Sequence, residues 1–107
     1  VASGAPLEVD LGSSFDVSAT RVQTAYQIDG RNDRGAPIAA TVAYKVSYRN
    51  SSDSAVTVTT YESRFGEWSV LESSHPANRQ SSGSVAFAVV VPARGEATLT
   101  YRIRASW

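Results

Sequence analysis

The chain predicts an all-β fold in which two antiparallel sheets pack face to face. Three observations carry that prediction. Apolar residues recur with period two in Val85, Phe87, Val89 and Val91, and again in Leu99, Tyr101 and Ile103. Between these ladders stands Pro92-Ala93-Arg94-Gly95, a tight-turn signal. Helical periodicity is weak throughout. Strict alternation sets each apolar series on one sheet face and leaves Ser84, Thr98, Thr100, Arg102 and Arg104 on the other. A sheet with one apolar face must bury it against a second layer.

From the N-terminus, Leu7, Val9 and Leu11 predict a short strand closed by Gly12-Ser13-Ser14. Phe15, Val17 and Ala19 begin the next strand, whose apolar phase then moves to Val22, Thr24, Tyr26 and Ile28. An odd shift of phase predicts a β-bulge near Thr20-Arg21, or a strand that crosses between sheets. The polar, Gly-punctuated stretch 29–35 reads as a loop, extending to Pro37. Val42, Tyr44, Val46 and Tyr48 alternate cleanly with Ala43, Lys45, Ser47 and Arg49. After the turn at 50–54, Val56, Val58 and Thr60 lead another strand, and Trp68 and Val70 mark a short one. Residues 73–83 read as the longest loop before the two ladders. The count is about seven strands, the pattern of an immunoglobulin-like antiparallel β-sandwich without its Cys-Trp-Cys landmarks.

At 107 residues the chain is expected to form a single domain with a core large enough to need no staples. It has no cysteine, so neither a disulfide framework nor a thiolate nucleophile is available. Ten basic and ten acidic side chains cancel without clustering, and no basic stripe predicts nucleic-acid binding. No apolar run approaches the ~20 residues that span a bilayer, so direct membrane insertion is not expected. The chain opens Val1-Ala2-Ser3 without an initiator Met. It is expected to be a fragment of a longer protein.

Several short motifs, in order, carry a family resemblance over about residues 7–107. They are Leu11-Gly12-Ser13-Ser14-Phe15-Asp16-Val17 with Arg21 and Gln23-Thr24; Tyr48-Arg49-Asn50-Ser51; and Trp68-Ser69-Val70-Leu71-Glu72-Ser73-Ser74-His75. The closing set runs Val91-Pro92-Ala93, then 95–104, then Trp107. Together these resemble the C-terminal β domain of a family of uncharacterised bacterial proteins, some described as mucoidy inhibitor-like. The resemblance implies a β-rich module ending a longer, exported or cell-envelope protein with a helical portion upstream. It brings no catalytic residues to this chain.

Each candidate reactive constellation has a plainer explanation. His75 is the only histidine, beside Ser73 and Ser74. A triad is assembled by geometry across a fold rather than by adjacency, so a solvated or turn-capping side chain is expected. Asp29, Asn32 and Asp33 offer oxygens to calcium, but Arg31 and Arg34 stand among them and turn chemistry explains the same residues. Glu62, Glu67 and Glu72 are expected at solvent edges rather than as a facing acid pair. Tyr44, Tyr48, Trp68 and Tyr101 share the apolar phase and are expected in the core, leaving Tyr26, Tyr61 and Trp107 as the exposed aromatics. The triplet Asn50-Ser51-Ser52 fits a glycosylation acceptor, but it carries little weight and a hairpin turn explains it.

The expectation is therefore a non-enzymatic structural or protein-interaction module, with no catalytic, metal or cofactor residues. Its partner would be another protein, the upstream part of the same polypeptide, or a second copy joined through strand edges. The candidate loops carry Asp29, Arg31, Asn32 and Asp33 on one side and His75, Asn78 and Arg79 on the other. The alternative is a carbohydrate-binding sandwich using the exposed aromatics.

Overall fold

In a computed structural model, residues 3–5, 9–10, 16–64 and 66–106 are described. They form nine strands and no helix: β1 (Ser3–Ala5), β2 (Val9–Asp10), β3 (Val17–Arg31), β4 (Pro37–Asn50), β5 (Val56–Ser63), β6 (Glu67–Ser73), β7 (Ala77–Ser81), β8 (Ser84–Val91) and β9 (Glu96–Ser106). A five-stranded sheet runs β1-β3-β4-β9-β6 and a four-stranded sheet runs β2-β5-β8-β7, with every described pairing antiparallel. The fold is the expected antiparallel sandwich. Setting aside the two short N-terminal strands, its order departs from the antibody arrangement in one respect. The last strand sits beside β4 and the short β7 flanks β8, an exchange of the two places they hold in immunoglobulin domains.

Alternation decides which side chains go inside. On β4, Val42, Tyr44, Val46 and Tyr48 are buried; on β9, Leu99, Tyr101 and Ile103; on β8, Val85, Phe87, Val89 and Val91. These, with Val17, Val58 and Trp68, form one continuous core between the sheets. Phe87 of β8 stacks on Tyr101 of β9 with ring centroids 4.9 Å apart, which locks the two layers at their centre. Among the described residues, no helix is long and apolar enough to cross a membrane.

The turn after β8 shows how sequence sets geometry. Gly95 N–H donates to Pro92 O at 3.1 Å, and a Cβ on Gly95 would lie 2.8 Å from Pro92 Cγ, so only glycine fits this close approach. The left-handed position is occupied by Arg94, at φ 50°, whose guanidinium pairs with Asp53.

Four expectations are corrected. The bulge in the second strand is real but lies at Thr24, between Gln23 and Ala25 in register. Arg21 therefore keeps the inward phase of Val17 and Ala19, and Val22 faces out, 38 % exposed. The strand does not cross between sheets. Second, Asp29 to Arg31 extend β3, so the loop shrinks to residues 32–36. Third, the long polar loop contains β7, whose residues are all exposed and so carry no apolar alternation. Fourth, Glu62 is buried, at 5 % exposure, in the inward phase of Val58 and Thr60. The expectations for Leu7, Leu11, Phe15 and Trp107 lie outside the described residues.

Candidate functional site

The most unusual feature of the interior is a charged cluster between the sheets. Two inward residues past Val58, β5 presents Glu62 to the five-stranded sheet. Arg21 on β3 donates to Glu62 Oε1 at 2.5 Å, and the Tyr101 hydroxyl on β9 donates to the same oxygen at 2.5 Å. Arg64, just past β5, lies 3.7 Å from Glu62 Oε2 and donates to the Tyr44 hydroxyl at 2.5 Å. The Arg21 guanidinium also lies over the Tyr44 ring, 4.3 Å from its centroid. One buried carboxylate thus faces two guanidiniums and two tyrosines drawn from four separate segments.

The electrostatics follow from that enclosure. Burial works against the Arg21 charge, but hydrogen bonding with Tyr101 and the charge of Glu62 outweigh it and hold the guanidinium above its ordinary value. Burial, reinforced by the negative charge of Glu62, pushes the Tyr101 hydroxyl far above the ordinary tyrosine range. Tyr101 therefore stays a neutral donor to Glu62. The cluster can hold two layers in register.

A second buried polar residue closes the opposite end. Asn50, 1 % exposed, donates through Nδ2 to Ser54 O, Val91 O and Pro92 O, while its Oδ1 accepts from Ser52 N–H and Ser52 Oγ. It ties the end of β4 to the turn before β5 and to the end of β8. In the folded domain Asn50 is a clasp, inaccessible as a glycosylation acceptor.

The sequence-derived candidates sit elsewhere. Ser74 Oγ lies 2.8 Å from His75 Nδ1 and accepts from Thr100 N–H at 3.0 Å, so these neighbours do meet. Among the described residues no carboxylate orients the ring, and Glu72 is instead 3.4 Å from Arg102. Ser74 borders a shallow groove of about 450 Å³ on the outer face of the larger sheet, with Ala43, Lys45, Glu72, Thr100 and Arg102.

Asn78 and Arg79 belong to β7 rather than to a loop. Arg79 reaches across to the edge of the other sheet, donating to Trp68 O at 3.2 Å with its guanidinium 5.0 Å from the Trp68 ring centroid.

At the β3–β4 tip, Asn32 Oδ1 accepts from Arg34 N–H and Ala36 N–H and so shapes the turn. Asp29 is turned away from it, accepting from Gln27 and Thr41 and lying 3.4 Å from Arg104. Arg31 donates to Gly35 O. Asp33 stands in that turn, exposed. Among the described residues, no three carboxylates or histidines come together as metal ligands. Tyr26 is 56 % exposed on β3, while Tyr61 is half-buried on β5 in the other sheet, so the two share no platform.

Sequence reading missed Arg21, Glu62 and Asn50. A usable signal existed for Glu62, which repeats the phase of Val58 and Thr60, and for Arg21, which repeats that of Val17 and Ala19. Compared with protein-family models, curated proteins and solved structures, the chain matches none of them.

Proposed function

We propose that this domain is a non-enzymatic structural or protein-interaction module. The observation that carries the reading is that its buried ionisable constellation is closed on itself. Glu62 is held by Arg21, Tyr101 and Arg64 between two packed sheets, where the charges serve the register of the layers. What the domain offers a partner is its surface, namely strand edges and the outer sheet faces. The position at the end of a larger bacterial envelope protein rests on the motif resemblance alone.

A hydrolase built on Ser74 and His75 is the reading to exclude. A panel of activated esters, offered to the parent and to His75→Ala, is expected to show no turnover above buffer with either. Turnover by the parent that disappears in His75→Ala would overturn the proposal.

A further inference from the structure

We propose that β7 is a strap that swings off β8 as a unit while the rest of the sandwich stays folded, and that Arg79 is its latch. Closed, the strap covers the edge of β8 from Ser84 to Phe87. Open, it bares that edge without dismantling the core. The opening is a property of the fold and holds whatever partner the domain takes.

Both ends of the strap are pinned through the backbone. Before it, Ser74 N–H donates to Thr100 O on β9 at 2.8 Å, and Ser74 Oγ accepts from Thr100 N–H at 3.0 Å. After it, Arg64 N–H donates to Gly83 O at 3.0 Å, and a Cβ on Gly83 would lie 3.2 Å from Arg64 O. These contacts bound the moving unit at residues 75–82.

Between the pins the ladder is weak. Residues 76–82 are all exposed, so lifting them takes none of their side chains out of an apolar interior. β8 pairs with β5 along its full length, from Ser84 to Val91, whereas β7 meets it only from Ser84 to Phe87. A bulge between Arg79 and Ser81 interrupts even that stretch. A short ladder with exposed hydrogen bonds and little apolar contact belongs to the part of a native structure that opens first. Phe87 keeps its stack on Tyr101 when the strap leaves, because neither ring belongs to it.

Arg79 has the contacts of a latch. Its Nη2 donates to Trp68 O on β6 at 3.2 Å, and its Nη1 donates to Ser82 O at 3.1 Å and Ser81 O at 3.3 Å. The same guanidinium lies 5.0 Å from the Trp68 ring centroid. Trp68 Nε1 also donates to Ser82 O, at 3.2 Å, so ring and guanidinium close on one carbonyl of the strap. Because β6 belongs to the larger sheet and β7 to the smaller, the latch fastens the strap across the two layers. Water solvates the freed guanidinium on opening, which makes the contact releasable.

Amide hydrogen exchange, followed residue by residue through low urea concentrations in the parent, Arg79→Ala and Val17→Ala, tests this. Val17 lies on β3, at the opposite flank, in the core that the open form keeps. In the parent, amides bonded between β7 and β8 are expected to exchange about 100-fold faster than those of 42–48 and to respond little to urea. Arg79→Ala should speed them about 10-fold further. Val17→Ala should speed the 42–48 amides, whose exchange needs global unfolding, and leave the β7 amides unchanged. If β7 amides are as slow as those of 42–48, or are sped by Val17→Ala in the same proportion, β7 leaves only with the whole fold and the strap is overturned. If they do not respond to Arg79→Ala, the latch is overturned.

Discussion

At one end of the sandwich the interior is hydrocarbon, with Val46, Val58, Val89, Val91 and Leu99 fully enclosed. Further along the same strands it holds Glu62, Arg21, Arg64 and the hydroxyls of Tyr44 and Tyr101. The apolar end draws its stability from area removed from water, about 25 cal/mol per Å². The charged end recovers part of its desolvation cost through the Arg21, Arg64 and Tyr101 contacts to Glu62, while the buried Nε atoms of Arg21 and Arg64 have no hydrogen-bond partner among the described residues. The contrast teaches that an inward position on a strand specifies burial, not hydrophobicity. It also separates two kinds of contribution: the apolar end supplies free energy, and the charged end supplies register.

Large effects are expected in the apolar core. Phe87→Ala should lower unfolding free energy in urea by ~3–5 kcal/mol, and Leu99→Ala by ~2–5 kcal/mol, through lost transfer energy and the cavity left behind. A midpoint unchanged within error in either variant would break that division of labour.

Asn50 brings a polar group into that apolar end, and it sharpens the comparison. Asn50→Ala leaves three carbonyls without their shared donor and should cost ~2–3 kcal/mol in the same urea measurement. A loss near zero would mean that water substitutes freely for the side chain.

The tyrosines test both ends by pH. Tyr48, whose hydroxyl lies 2.6 Å from Thr60 Oγ1, and Tyr101 both titrate above the ordinary value of 10.0, chiefly through burial. Between the unfolded and folded values the native state holds more protons than the unfolded chain, so stability falls as pH rises. Their contribution is intact below pH 10 and should then decline by up to about 1.4 kcal/mol per pH unit for each tyrosine. Urea titrations at successive pH values should show that decline, and Tyr48→Phe should remove one share of it.

The smallest effect belongs to the surface. Arg94→Gly relieves a left-handed residue but removes the exposed pair with Asp53, and the two should cancel to within ~1 kcal/mol. A thermal melt that moves by many degrees would show that the turn contributes more than its exposure implies.

How much of this was legible in the chain follows from the same contrast. Val42 to Tyr48, Val85 to Val91 and Leu99 to Ile103 announce their strands because one face is buried and the other wet. β7 is silent because Ala77 to Ser81 are exposed on both faces, so no alternation is written into them. The bulge registers as a phase change, but its place at Thr24 is hidden because Arg21 holds an apolar phase while being charged. Glu62 misleads for the same reason, since pattern reading sends a carboxylate to solvent. Its partners lie on β3 and β9, and only the stacking of sheets brings them together. Asn50 reads as a turn residue, which it is, and the carbonyls it gathers belong to another sheet.

The most direct test of the central claim, that the buried charges serve the fold, is a pair of urea denaturation curves. Glu62→Leu alone leaves the partly buried Arg21 without its partner and should cost up to ~3–5 kcal/mol. Adding Arg21→Met removes the stranded charge, and the double variant should regain at least half of that loss, because a well-filled apolar pair can replace a buried ion pair. A double variant no more stable than Glu62→Leu alone would contradict the claim and show that the Arg21–Glu62 pair is not the unit that matters.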